Sequence, residues 1–227
     1  MAGRWNALGA AVLAVLPPAT LSAAQSRAAT PRLMVFYVEA PPAKAASAAK
    51  ALTDYAAKVR GDADREAPVI DVLSESGRPS RMALVEQWRN LTADGAALQA
   101  RALQGALAPI LQAPIDDRLG DPLVPLNFTT APTGVFQVLM HIDVMPDGAP
   151  TAAKAVTAQK ARVLAAPGAL AFQAATQTGR PNHFTVHEVW KSRADYEAYA
   201  ASPAGQELRR RLTPFKGAPF DDRYYGR

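Results

Sequence analysis

Gly77-Arg78-Pro79-Ser80-Arg81-Met82-Ala83-Leu84-Val85-Glu86-Gln87-Trp88 returns 102 positions later (77 to 179) as Gly179-Arg180-Pro181-Asn182-His183-Phe184-Thr185-Val186-His187-Glu188-Val189-Trp190. Glycine, arginine, proline, glutamate and tryptophan coincide, where composition alone gives about one match. A second block, Pro114-Ile115-Asp116-Asp117-Arg118, returns as Pro219-Phe220-Asp221-Asp222-Arg223 at an offset of 105 (114 to 219), so the second copy carries a short insertion between the blocks. Two matched blocks in the same order establish an internal duplication. The period is that of a domain, not of a solenoid repeat.

On either side of these blocks both copies parse alike. Arg32 to Glu39 and Val135 to Val144 are apolar, β-branched and aromatic, and predict first strands. Pro41-Pro42 and Pro146 to Pro150 turn the chain into Ala-rich helices, Ala43 to Arg60 and Thr151 to Leu164. Second strands follow at Val69 to Ser76 and Leu170 to Thr178. Gly-Arg-Pro then closes a hairpin into third strands, Arg81 to Trp88 and His183 to Trp190. Ser192 with Asp195 has the form of a capping box. Ser202-Pro203 reads as an N-cap with proline at the first helical position, which breaks that helical stretch in two. Fourth strands, Ile115 to Leu119 and Phe220 to Tyr225, end the copies.

The order βαββαβ predicts an α+β protein of two tandem ferredoxin-like modules, each an antiparallel sheet with both helices on one face. The bare sheet faces then cover each other, giving a pseudo-dimeric α/β barrel that encloses apolar room. The first module is placed at 31–120, a proline-interrupted linker at 121–133, and the second module at 134–227.

Before them, Arg4, the apolar stretch Ala7 to Leu16, Pro17-Pro18 and Ser22-Ala23-Ala24 compose a signal peptide over 1–24. The apolar stretch is shorter than the roughly 20 residues a membrane-spanning helix needs, so the expectation is a periplasmic or secreted protein with no membrane span. Cysteine is absent from the 227 residues, which excludes disulfides, thiolate metal sites and a lipid anchor at the cleavage site. The net charge of +5 is scattered apart from Arg209-Arg210-Arg211, a solvated helix face without interleaved aromatics, so no nucleic-acid partner is expected.

The run from His183 to Ser192, with Tyr196-Glu197-Ala198-Tyr199, Ser202-Pro203 and Pro219-Phe220, resembles the antibiotic biosynthesis monooxygenase (ABM) family of the dimeric α/β-barrel group, which includes quinol monooxygenase-like proteins. The second copy matches over nearly its whole length. The first keeps Glu86-x-Trp88 and the Asp-Asp-Arg block and lacks the Ser-Pro break. The resemblance implies a homodimer-like barrel fused into one chain, and oxidation of electron-rich phenols or quinols by O₂ without metal or flavin. In that chemistry a deprotonated aromatic supplies the electron, and the protein keeps it dry and stabilises the anion. Two positions depart from the family. Its helix histidine is Tyr199 here and Ala97 in the first copy, and an asparagine of some oxygenases is Val186 and Leu84.

Alternation along the third strands puts Phe184, Val186, Glu188 and Trp190 on one face, as it does Met82, Leu84, Glu86 and Trp88. A carboxylate among apolar neighbours is either paired, with an arginine such as Arg223 or Arg118, or carries a raised pKa. Trp190 and Trp88 read as core or as pocket wall. His183 and His187 share the opposite face at a separation of about 13 Å, too far for one metal ion. His141 could approach one of them, but no third ligand is evident, and no metal is expected. Adjacent aspartates (Asp116-Asp117 and Asp221-Asp222) point to opposite faces and read as surface charges. The candidate catalytic residues are His187 as acceptor of a phenol proton, with Glu188, Trp190 and Tyr199. His141, His183 and Tyr196 are the candidate substrate contacts.

Two functions remain open on these residues. One is an exported oxygenase for a small aromatic, using molecular oxygen and no cofactor. The other is a non-catalytic barrel that sequesters a hydrophobic molecule. Haem binding through His141 or His187 is a minor third. Further oligomerisation beyond the internal pseudo-dimer is left open.

Overall fold

Strands that are apolar on both faces need cover on both, and the chain supplies helices outside and a second sheet inside. The computed structural model describes residues 29–62 and 66–226. The expected signal peptide lies outside the described residues. The first half runs β1 (Thr30–Glu39), α1 (Ala45–Arg60), β2 (Val69–Glu75), β3 (Arg78–Leu91), α2 (Ala93–Leu107) and β4 (Asp116–Pro122). The second runs β5 (Phe136–Asp143), α3 (Ala149–Leu164), β6 (Ala169–Gln177), β7 (Arg180–Trp190), α4 (Arg193–Ala201), α5 (Pro203–Leu212) and β8 (Asp221–Tyr225).

Each half forms an antiparallel sheet, ordered β4-β1-β3-β2 and β8-β5-β7-β6. The halves do more than face each other. Pairing of β2 with β8, at Glu75 and Tyr225, and of β4 with β6 closes all eight strands into one barrel. At the β4–β6 seam Gly120 pairs with Gln177, and a Cβ on Gly120 would lie 2.6 Å from the Ala175 Cβ. Glycine is therefore what lets the two sheets close there. Gly77 and Gly179 hold the β2–β3 and β6–β7 hairpins at φ 75 and φ 78, the left-handed region that favours glycine.

Side chains fill the middle of the barrel, and the space that remains is a polar recess of about 370 Å³ lined by Tyr37, Tyr225, Arg223 and Asp221. Leu33, Val35, Tyr37, Leu73, Ala83, Val85, Leu139, Ala175 and Tyr225 pack in that middle, joined by Leu126 from the connection between the halves. This corrects the expectation of apolar room between the sheets near the histidines. The outward faces carry two separate cores, one under α1 and α2, the other under α3, α4 and α5. No helix among the described residues is long and apolar enough to cross a membrane.

Helix starts follow their caps. Thr92, Ser192 and Ser202 each accept a backbone N–H three residues on. Pro203 at the first helical position separates α5 from α4, whereas the first half, lacking Ser-Pro, forms the single helix α2. Strand β3 continues to Leu91 while β7 ends at Trp190. Cap-to-cap alignment (92 to 192) therefore matches Tyr199 with Gln99, correcting the sequence match with Ala97.

Candidate functional site

The outward residues of β7 place Glu188 and Trp190 beneath the helices of the second half. Glu188 is 3% exposed, and its Oε2 accepts the Trp190 Nε1–H at 3.0 Å. Burial pushes the Glu188 carboxyl up to about 7. The Trp190 bond opposes this shift, Asp222 adds to it, and Arg209 opposes it again. The acid therefore changes charge near neutral pH, while an ordinary glutamate is ionised well below it.

Glu188 lines a cavity of about 380 Å³ whose walls include Phe136, Tyr196, Tyr199 and Tyr224. That is room for one small ring system. Phe136 stacks on Tyr224 at 6.0 Å, Tyr196 meets both within 5.7 Å, and Tyr199 lies over Trp190 at 5.1 Å. Gln159 of α3 donates through Nε2 to the Tyr199 hydroxyl at 2.8 Å. Burial raises the Tyr199 hydroxyl to about 12, so it stays protonated, and it faces the Ala204 carbonyl at 3.5 Å. Two buried acceptors on the same wall, Gln159 Oε1 and Asp222 Oδ1, have no hydrogen-bond partner. A buried acceptor left unmade costs about 1–3 kcal/mol.

The histidines lie elsewhere. His187 points into the barrel, where Gln173 Oε1 is 3.3 Å from Nδ1 and Gln137 Oε1 is 2.7 Å from Nε2. Burial lowers it to about 4 and keeps it neutral. Both ring nitrogens are occupied, and neither faces the cavity. His141 Nδ1 is 3.2 Å from Thr185 Oγ1, and its Nε2 meets the Tyr37 hydroxyl. Burial, then the charges of Arg118 and Arg223, lower it to about 3. Phe36 pairs with Leu84 and Met140 with Val186, so Tyr37 and His141 are the same position in the two halves, meeting across the pseudo-twofold. His141 thus contacts Tyr37 rather than another histidine. His183 sits near the strand's open end, with Nδ1 2.8 Å from Asp143 Oδ1.

The arginines offered as partners for the buried glutamates are also on the barrel side. Arg118 pairs with Asp116 at 2.9 Å and Arg223 with Asp221 at 2.7 Å. Glu86 and Glu188 are instead held by the indole two residues on, through Trp88 and Trp190. Asp222, next to Asp221, points the other way and pairs with Arg209 on the cavity side. The fold therefore gathers Glu188, Trp190, Tyr196 and Tyr199, and leaves His141, His183 and His187 on the opposite face of the sheet. Phe136, Gln159 and Tyr224 were not singled out by the sequence, and Asp222, read there as a surface charge, lines the cavity instead. A polar Gln159 on the buried stripe of α3 is the signal that could have marked this site.

Residues 136–211 match the family model of the antibiotic biosynthesis monooxygenases. A structure from Fusobacterium nucleatum, provisionally named a monooxygenase, superposes with a TM-score of 0.70 at 16% identity, over 87% of this chain and 92% of that one. Another with the same provisional name, from Lactobacillus acidophilus NCFM, gives 0.67 at 14% identity, over 86% and 93%. An anthrone oxidase-like protein gives 0.65 at 15% identity, over 86% and 90%. At these identities the likeness is one of fold. No curated protein sequence matches the chain significantly.

Proposed function

From the premise that residues 136–211 form an antibiotic biosynthesis monooxygenase domain, we propose that the cavity over Glu188 oxygenates a small phenolic aromatic without a bound cofactor. One observation carries the reading. A buried carboxyl with its titration moved to about 7 faces a ring-lined cavity of ring size.

Glu188 takes the phenolic proton, and the aromatic walls hold the resulting anion away from water. The electron-rich ring carbon para to the oxygen then reduces O₂ and forms a C–O bond. Loss of the ring hydrogen and cleavage of the O–O bond leave a quinone carbonyl. Overall, the phenol and one O₂ give the quinone and one water: one oxygen atom enters the ring, and the other leaves with the phenolic and ring hydrogens. Tyr199 and Tyr196 border the substrate, and Trp190 fixes the orientation of Glu188. His141, His183 and His187 serve the barrel.

Oxygen uptake by the metal-free protein with a panel of phenols that carry a hydrogen para to the hydroxyl tests this. We expect one O₂ consumed per quinone formed, and none with the fully O-methylated counterparts. A panel in which ligands bind but no oxygen is consumed would sink the oxygenase. The second reading, a sequestering module, would then stand, since the aromatic-lined cavity can hold a ring whether or not turnover follows.

We also place the protein in the periplasm or outside the cell, from the leader-like pattern of residues 1–24. Mass spectrometry of the exported protein is expected to give a mature start at or near Gln25. Full-length protein retained in the cytoplasm would overturn that placement.

A further inference from the structure

The two halves use one tyrosine–glutamine pair in opposite order. Helices α1 and α3 match from end to end (45 to 149, 60 to 164), and their buried stripes agree: Ala48 with Ala152, Leu52 with Val156, Val59 with Val163. In this register Tyr55 stands where Gln159 stands. The caps match Gln99 with Tyr199. In the first half Tyr55 donates from α1 to Gln99 Oε1 at 2.9 Å. In the second, Gln159 Nε2 donates from α3 to the Tyr199 hydroxyl at 2.8 Å.

The exchange changes what each buried acid meets. Tyr55 brings its phenol against Glu86, and each of the two shifts the other's titration. Glu86 is fully buried, is raised to about 7 by that burial, and has an Oε1 without a hydrogen-bond partner. A groove of about 810 Å³ between α1 and α2 is lined by Tyr55, Trp88 and Gln99, but Glu86 does not line it. In the second half the tyrosine hangs from α4 and leans on Trp190, and Glu188 lines its cavity directly. One side chain, the Tyr55 phenol, separates a closed acid from an open one.

We infer that the first half contains a second phenol site that is permanently filled by Tyr55. The ring of Tyr55 occupies the place that a ligand's ring takes in the second half, with its hydroxyl toward the acid. This rests on the reading of the second-half cavity as a phenol site, and it adds two things to that reading. The ligand enters with its hydroxyl facing Glu188, and each chain has one open site, although the fold is duplicated. Gln159 is then the residue that keeps the second site open, being too short and too polar to replace the ring that Tyr55 supplies.

The test is calorimetric titration of the whole mature protein with 4-methylphenol, which is the tyrosine side chain without its backbone. The wild type is expected to bind one molecule per chain. Tyr55→Ala is expected to bind two, and so is the double variant Tyr55→Gln with Gln99→Tyr. That double variant keeps a tyrosine–glutamine hydrogen bond and so guards against loss of folding in the alanine variant. The reverse pair, Gln159→Tyr with Tyr199→Gln, is expected to bind none. In the opened first half, 4-methyltoluene, which lacks the hydroxyl, is expected to bind at least tenfold more weakly. If both opened variants fold and keep the wild-type stoichiometry, the inference is overturned, even where the wild type binds its one equivalent. If the wild type binds nothing but the opened variants gain a site, the inference holds and the reading of the second-half cavity fails instead.

Discussion

Glu188→Gln is expected to lower kcat/KM for phenol oxidation at least a hundredfold while leaving 4-methylphenol affinity within about threefold. General-base catalysis contributes typically 10²–10⁴ in rate. Glutamine keeps the shape and the Trp190 bond, since its Oε1 can accept the indole N–H where Glu188 Oε2 does now. What it loses is the capacity to take a proton. The pH profile gives a second readout. A base raised to about 7 by burial makes the wild-type rate climb as pH rises through 7 and level off above it. That limb should disappear in the glutamine variant. His187→Asn serves as the contrast: with both ring nitrogens engaged by Gln137 and Gln173, its replacement should change stability and leave the limb in place. If His187→Asn abolished the limb while Glu188→Gln kept it, the acid on the helix side would not be the base.

The second large effect concerns stability. Glu86 is held neutral by burial up to about pH 7, against an ordinary value of 4.5. Below 4.5 the carboxyl is protonated in both folded and unfolded chains, and pH changes nothing. Between 4.5 and about 7 the unfolded chain ionises while the folded one does not, so stability falls as pH rises. Above 7 both are ionised, and the loss is complete at about 3 kcal/mol, since each pH unit between the folded and unfolded titrations costs about 1.4 kcal/mol. Glu86→Gln removes this loss. Its Oε1 accepts the Trp88 N–H as Glu86 Oε2 does at 2.7 Å, and its amide proton finds the Tyr55 oxygen nearby. At pH 8 the variant should melt roughly 6–12 °C above the wild type, at 2–4 °C per kcal/mol for a chain of this size. At pH 4.5 the two should melt together. Buried His141 and His187, lowered to about 3 and about 4, act in the opposite sense, because their stability is present above 6.5 and lost as pH falls. The wild-type curve is therefore flattened between 4.5 and 6.5, and only the difference between variant and wild type isolates Glu86. A melting difference that is the same at pH 4.5 and pH 8 would mean that burial does not raise the Glu86 titration above its unfolded value.

The repeat was legible because a duplicated hairpin leaves its mark in identity: Gly-Arg-Pro for the turn and Glu-x-Trp for an acid clamped by an indole two residues on. Strand alternation was equally legible. It put Glu188 with Trp190 and turned His187 away, and both hold in three dimensions. The caps at Ser192 and Ser202 were readable because capping is local, a side chain answering a backbone N–H three residues on.

Long-range partners were not legible. Nothing local in Arg223 tells whether it reaches Glu188 or Asp221; closure of the barrel decides that by putting the inward side of β8 against Tyr37. Likewise, alternation shows that the histidines share a face but not that side chains fill the middle of it. Only the pairing of β2 with β8 and β4 with β6 brings Leu33, Val85, Leu139 and Tyr225 together to fill it. The cavity that reaches a buried acid lies instead under α3, α4 and α5, where a glutamine replaces a tyrosine. Sequence order therefore determined the modules and the faces of their strands, because turn, cap and alternation are set by neighbouring residues. Which face is left hollow was decided by tertiary packing, because a cavity depends on volumes contributed by side chains far apart in the chain.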